Sequence, residues 1–328
     1  MKNSIPVVQA AFLTIACMLL TQVRAADTNT PEEKIHVVTG NTIVQDMVTI
    51  IGGERVSATC LLQPGVDPHS YQPVPKDVKR LAQAKLVIIN GLGFEGWFDG
   101  VAKEAGFVGT VVIATKGIEP LTMEEACDHG DQDKKEVPAN DHAPDHEHKH
   151  EHHEVHDPHA FNSIAQGPRY AENIREALIG ADPAGAEGYR VRAAAYIVEL
   201  RKADAEAKKA FAVLPRSQRK LITNHDALQY FAKEYGFEIL APNTALEDSE
   251  PSAKDIAALV TFIRQTHVKG VFLEFGKNEK VMRQISVEAQ VAIGQELYLD
   301  GVGPSETPAG TYIGMFRSNV ASILAALK

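Results

Sequence analysis

The run Ile35-His36-Val37-Val38-Thr39-Gly40-Asn41-Thr42-Ile43-Val44-Gln45-Asp46-Met47-Val48-Thr49-Ile50-Ile51 changes hydrophobic period part-way along. Residues 35–38 form a short run rich in β-branched side chains, which reads as a strand. Residues 41–51 follow as an amphipathic helix. The same alternation continues, with strands at 56–62, 86–90 and 111–114 and a helix at 76–84. Four strands with intervening helices predict one doubly wound parallel layer.

The alternation restarts after Pro215. Strands are expected at 220–223, 238–241, 270–274 and 296–299, and helices at 225–235, 252–266, 278–289 and 310–327. Between the halves lie a helix at 168–179 and a longer one at 183–213. In the longer helix Tyr189, Ala193, Tyr196, Ile197, Leu200, Ala203, Ala207, Ala210 and Phe211 recur at helical spacing. Such a helix is roughly 45 Å long, more than one small lobe needs. The fold class expected is α/β: two similar lobes, each a roughly four-stranded parallel sheet flanked by helices, joined by one long rigid linking helix. The divisions are residues 26–182 for the N-terminal lobe, 183–214 for the linking helix and 215–328 for the C-terminal lobe. Ligands of such sheets lie beyond the carboxyl ends of strands and at domain interfaces.

A chain of 328 residues supports two domains, and its formal charge of −10, without a lysine-rich tail, argues against a nucleic-acid partner. Residues 1–25 read as a cleavable signal peptide. Lys2 supplies the positive start, 5–20 are largely apolar and uncharged, and Val23-Arg24-Ala25 offers small residues at −3 and −1 before Ala26. The alternative, an uncleaved anchor, suffers from a run that is short for a membrane span and interrupted by Gln9. Cys17 lies inside the apolar run, a poor setting for lipid modification. The expected location is the periplasm. Export leaves Cys60 and Cys127, which an oxidising compartment permits to pair; a metal role for Cys127, near His129, is the weaker alternative.

Between about 128 and 157 there is almost nothing apolar. Such a segment cannot bury enough surface to offset its chain entropy and reads as a mobile loop. His142, His146, His148, His150, His152, His153 and His156 alternate there with acidic residues. Imidazoles crowded among carboxylates make a local auxiliary metal trap; a plain solvated linker is the alternative.

Four other residues fall where the fold expects a ligand. His69 follows the second strand, His159 stands where the loop ends, His225 follows the first strand of the second half, and Asp300 ends the last strand. Three neutral imidazoles and one carboxylate suit tetrahedral Zn2+, whereas Ca2+ and Mg2+ want mostly oxygen. Mn2+ prefers more carboxylate, so histidine at 225 favours zinc. His36 and His267 fit no such place. Histidine ligands usually hand their other N–H to an acceptor. Glu274 and Asp226 are candidates, with salt bridging or helix capping as the alternative for each. Glu95 and Trp97 are expected at the interface between lobes.

Apart from the loop, the chain after residue 25 resembles the cluster A-I solute-binding proteins of zinc and manganese ABC importers. The resemblance rests on Asp67-Pro68-His69-Ser70-Tyr71-Gln72-Pro73, Asn90-Gly91-Leu92-Gly93-Phe94-Glu95-Gly96-Trp97, Asp157-Pro158-His159, Asn224-His225-Asp226-Ala227 with Tyr230-Phe231, Glu250-Pro251-Ser252, Phe272-Leu273-Glu274 and Leu297-Tyr298-Leu299-Asp300, in that order. It implies metal ligands at His69, His159, His225 and Asp300, two lobes on a rigid helix, and docking on an ABC permease in the inner membrane. Members regarded as manganese importers look similar around Asp67-Pro68-His69 but carry glutamate where this chain has His225. Histidine-rich loops at this place look like those of zinc-importing members.

The function expected is therefore periplasmic zinc capture and delivery to an ABC importer by a monomer, with a periplasmic metallochaperone as a possible further partner. Mn2+ is the alternative cargo, and a zinc storage or adhesive surface protein the alternative role. An enzyme is not expected. Catalytic zinc keeps an open position for water, four protein ligands close the site, and the chain holds no His-Glu-x-x-His run or Gly-x-Ser-x-Gly elbow.

Overall fold

The computed structural model describes residues 34–122, 156–242, 251–266 and 268–328. The signal segment, Cys127, Glu250, His267 and all the loop histidines except His156 lie outside the described residues. In chain order the elements are β1 (Ile35–Thr39), α1 (Thr42–Gly52), β2 (Val56–Cys60), α2 (Pro75–Gln83), β3 (Leu86–Ile89), α3 (Phe98–Glu104), β4 (Thr110–Ile113), α4 (Gly167–Ala181) and α5 (Ala186–Phe211). They continue with β5 (Lys220–Ile222), α6 (Gln229–Tyr235), β6 (Glu238–Leu240), α7 (Ala253–Thr266), β7 (Gly270–Val271), α8 (Lys280–Ala289) and α9 (Tyr312–Leu327).

Residues 35–51 fold as their pattern dictates. Asn41 caps α1 by accepting from the Val44 N–H at 2.9 Å, which satisfies one of the donors that a helix start leaves open. Ile43, Val44, Met47, Val48 and Ile51 are fully buried along one face of α1. The first sheet has the order β2-β1-β3-β4 and is parallel throughout. The second has the order β6-β5-β7, also parallel. Both are α/β layers in the expected sense, and in each the first strand of the half lies inside the sheet.

Three local differences have physical causes. The strand expected at 296–299 is reduced to isolated parallel bridges, Val271 to Ile293 and Glu274 to Leu297. The side chain of Asn319 takes both backbone groups of Tyr298, accepting from its N–H at 2.9 Å and donating to its carbonyl at 2.7 Å, so no ladder can continue there. The helix expected from 225 begins only at Gln229; the His225 carbonyl, which would accept its first helical bond, instead accepts from Thr223 Oγ1 at 2.9 Å and from the Ala227 N–H at 3.1 Å. α3 is additional to the expected elements, a short helix that buries Phe98 and Val101.

α5 is 26 residues long, about 39 Å at 1.5 Å per residue. A separate 3-10 turn at Pro183–Gly185 precedes it. Its expected apolar stripe is buried, except that Ala210 is only half-buried. Residues Lys34–Lys328 make one compact unit. A single hydrophobic cluster runs from Val37 of β1 through α1, α4 and α5 to Phe231 of α6 and Leu327 of α9, so both sheets lean on a common core. Two polar anchors fix α5 to the first half. Arg192 donates to the carbonyls of Ile51 and Gly52 at 2.7 and 2.8 Å. Arg55 grips Asp182 with two hydrogen bonds of 2.7 and 2.9 Å, and the Tyr189 hydroxyl donates to the same carboxylate at 2.5 Å. Cys60 is a buried free thiol, pushed up to about 12 by burial.

The Arg55 guanidinium, helped by Tyr189, holds Asp182 down at about 2, below the ordinary carboxylate value of 3.8. A depressed carboxylate stabilises the fold above its unfolded pKa, and that contribution is lost as pH falls through the folded value. Replacing Arg55 with alanine should cost on the order of 1–3 kcal/mol at neutral pH. It should also flatten the loss of stability between about pH 4 and pH 2. Urea unfolding of both proteins across that range measures this, and identical pH profiles would remove Asp182 as the cause.

Candidate metal centre

Each of the four residues sits just beyond a strand or at a turn that the backbone itself holds. His69 and His159 share a local device, the sequence Asp-Pro-His. In both copies the aspartate Oδ1 accepts the backbone N–H of the histidine two residues on, at 3.0 Å from Asp67 and 2.9 Å from Asp157. This Asx turn is built from adjacent residues alone. Trp97 adds a tether by donating from Nε1 to the Pro68 carbonyl at 3.1 Å. His225 follows β5, and Asp300 follows the bridged stretch around Leu297.

These four side chains, 90 to 231 residues apart between first and later members in chain numbering, converge. One ligand atom from each of His69, His159, His225 and Asp300 lies within 4.8 Å of all the others. His69 Nε2 is 3.1 Å from His159 Nε2. Asp300 Oδ1 is 3.2 Å from His225 Nε2, 3.5 Å from His159 Nε2 and 3.8 Å from His69 Nε2. A tetrahedron with ligand bonds near 2.0 Å has edges of about 3.3 Å, so the spacing fits one small cation. The side chains are at most 9% exposed. Phe94, fully buried, turns its ring edge-on to His69 and His159 at centroid distances of 5.4 and 5.7 Å and closes one side with apolar surface.

Around the cluster, three of the four side chains have a charged outer partner: a carboxylate for His225 and for His159, an ammonium for Asp300. His225 Nδ1 lies 2.6 Å from Glu274 Oε2, and Glu274 Oε1 takes the backbone N–H groups of Asn224 and His225. His159 Nδ1 lies 2.8 Å from Asp157 Oδ1. Such bonds place the proton on Nδ1 and leave Nε2 facing the cluster, the arrangement common to metal-ligating histidines. Lys277 Nζ bridges Asp67 Oδ2 at 2.5 Å and Asp300 Oδ2 at 3.2 Å.

Glu274 is thus the partner the sequence suggested. Asp226 is not: its carboxylate is held by Gln229 Nε2 at 2.7 and 2.8 Å at the start of α6. Asp157 takes that role instead, and its signal was the repeated Asp-Pro-His. Nothing near Lys277 in the sequence marked it. Glu95 and Trp97 do not bridge the two halves. Glu95 is buried among Asn41, Asn90 and Gly91 of the first half, where burial pushes its carboxyl up to about 6, and Trp97 supports the His69 turn. His36 bonds Thr59 Oγ1 at 3.0 Å, away from the cluster. His156 pairs through its backbone with Thr122 and is not among the four.

The electrostatics are those of a site waiting for positive charge. Burial alone would lower the pKa of His225, but Glu274 and Asp300 outweigh it and raise it well above 6.5. For His159, Asp157 and Asp300 likewise overcome burial and raise it. For His69 burial outweighs the pull of Asp300, and its pKa is lowered. Burial would raise Asp300, yet the surrounding imidazoles hold it well below 3.8. Lys277 stays charged because Asp300 and Asp67 more than offset its burial. A carboxylate and buried imidazoles with fixed tautomers can coordinate a divalent ion once protons leave. The neighbouring cavity beside Asp67, Lys277 and Asp300 holds about 10 Å³, room for no more than about one water.

Comparisons with known proteins find metal-binding relatives along nearly the whole chain. The iron-binding protein YfeA of Yersinia pestis is 31% identical over 319 residues, covering 96% of this chain and 94% of that protein. The manganese ABC transporter substrate-binding lipoprotein PsaA of Streptococcus pneumoniae is 29% identical, over 98% of this chain and 97% of its own. Among solved structures, the periplasmic zinc-binding protein TroA of Treponema pallidum matches with a TM-score of 0.78 at 30% identity, covering 90% of this chain and 99% of its own. Residues 37–326 match the family model described as zinc-uptake complex component A, periplasmic. With its two parallel sheets, its shared core and its cluster of three histidines and an aspartate, the chain belongs to that family of metal-uptake components, which are binding proteins and not enzymes.

Proposed function

We propose that this protein captures Zn2+ in the periplasm at His69, His159, His225 and Asp300 and hands it to an ABC permease in the inner membrane. The observation that carries the reading is the cluster, among the described residues, of three imidazole nitrogens and one carboxylate oxygen, spaced much as the corners of a zinc tetrahedron. Three nitrogen donors favour zinc over manganese, whose sites take more oxygen. The manganese reading stays as the second one because PsaA, whose name specifies that metal, aligns along nearly the whole chain.

The reading extends to the whole chain. Residues 1–25 direct export and are removed. Residues 26–182 and 215–328 each supply two of the four ligands, and 183–214 form the helix between them. The common core along α5 supports small motions at the site over wide opening of the halves. Release then requires the permease to favour a form with the ligands apart, since only differential affinity shifts such an equilibrium. The histidines at 142, 146, 148, 150, 152, 153 and 156 collect metal for the main site.

Replacing His225 with alanine should lower zinc affinity by more than about a hundredfold, and Glu274→Gln by about tenfold, as read by chelator competition. Deleting residues 128–156 should leave one tightly held zinc per chain by mass spectrometry; its disappearance would make the loop the site. Because His225 and His159 hold protons to higher pH than ordinary imidazoles, zinc must displace them. Affinity should therefore keep rising with pH beyond about 6.5, and a plateau already reached there would contradict the assignment. Trp97 is bonded to the residue before His69, so its emission should change on zinc binding in the parent and not in His69→Ala.

A further inference from the structure

The two oxygens of Asp300 face different partners. Oδ1 looks toward the imidazoles of His225, His159 and His69 at 3.2, 3.5 and 3.8 Å. Oδ2 looks away from them and meets the ammonium of Lys277 at 3.2 Å. The same ammonium reaches Asp67 Oδ2 at 2.5 Å, so a residue of the second half is held by the turn that presents His69. The backbone fixes that position too. Gly276 has φ of +86°, and a Cβ there would collide with the carbonyl oxygen of Gly65, so the chain next to Lys277 lies directly against the first half. The lysine side chain is 15% exposed and has little freedom to swing into solvent.

This arrangement bears on coordination number. A carboxylate can bind a cation through one oxygen or through both. Zinc with nitrogen donors is satisfied by four ligands, whereas Mn2+ favours six-coordinate, oxygen-rich surroundings. A second bond from Asp300 would require Oδ2 to leave Lys277, and the buried ammonium would then lose one of its two carboxylates. Breaking one side of a buried charge pair is strongly unfavourable.

We propose that Lys277 is a specificity-determining residue of the metal centre: it holds Asp300 Oδ2, confines that carboxylate to a single metal bond, and so sets a four-ligand site that favours Zn2+ over Mn2+. The proposal rests on the reading that the four clustered residues hold the metal. Lys277 touches no ligand atom that faces the cation, and it acts through Asp300.

The test uses the full chain, stripped of metal, as the parent protein, Lys277→Met and Lys277→Arg. Co2+ serves as a spectroscopic probe, and Zn2+ and Mn2+ affinities are compared by chelator competition. The parent should give the intense visible bands of four-coordinate Co2+. Lys277→Met should weaken those bands and shift the zinc-to-manganese affinity ratio toward manganese by about tenfold, and Lys277→Arg should restore both. An unchanged spectrum and ratio in Lys277→Met would overturn the proposal, even if both affinities fell together, as loss of a merely structural ion pair would cause. Should Lys277→Met fail to fold, a crystal structure of the zinc-loaded parent decides: one Asp300 oxygen on the metal and the other on Lys277 supports the proposal, and both oxygens on the metal overturns it. Failure of the parent to bind either metal, or binding indifferent to His225→Ala, would instead sink the underlying assignment of the site.

Discussion

Burying three imidazoles and a carboxylate together costs free energy unless each polar atom finds a partner, and the protein around the candidate metal centre is arranged to meet that demand. Glu274 spends one oxygen on His225 Nδ1 and the other on two backbone N–H groups. Asp157 holds both the ring and the backbone of His159. Lys277 satisfies the outer oxygen of Asp300. What faces inward is one lone-pair atom from each of four side chains, a set that has no good neutral partner within the protein and that a divalent cation completes.

The scaffold keeps these atoms in register by direct links between the halves. Asn162, immediately after the His159 turn, donates from its side-chain amide to the carbonyls of Ala227 and Leu299, both at 2.9 Å. Those carbonyls lie beside His225 and Asp300 in the chain, so one amide ties three ligand-bearing segments together. Tyr312 donates its hydroxyl to the Phe161 carbonyl at 2.6 Å, and its backbone N–H goes to Asp46 of α1 at 2.9 Å. With a common apolar core beneath these bonds, opening the halves as rigid bodies would break several buried contacts at once. Movement confined to the ligand turns costs less.

On the proposed assignment, proton and metal compete for the same nitrogens with opposite consequences. In the metal-free protein, Asp300 and Glu274 favour the charged form of His225. A raised histidine pKa contributes stability below the unfolded value and loses it as pH rises through the folded one. Protonation therefore steadies the cluster at mildly acidic pH. The carboxylates that orient the imidazoles for a cation are the same groups that let protons stand in for it.

Much of this was legible in the residues themselves. Alternating periods of two and 3.6 located the strands and helices, and the rule that ligands lie beyond strand ends singled out His69, His225 and Asp300. The Asx turns of Asp67-Pro68-His69 and Asp157-Pro158-His159 are likewise local, since each closes over two residues. What only the tertiary structure decided are choices between groups distant in the chain: Glu274 over Asp226 as the partner of His225, 49 residues away, and Lys277 against Asp67, 210 residues away. Asn319 ending the last strand at Tyr298 belongs with them. Periodicity reports which face of an element is apolar and turn chemistry reports adjacent residues, but which carboxylate meets which imidazole depends on how the two sheets pack on their shared core.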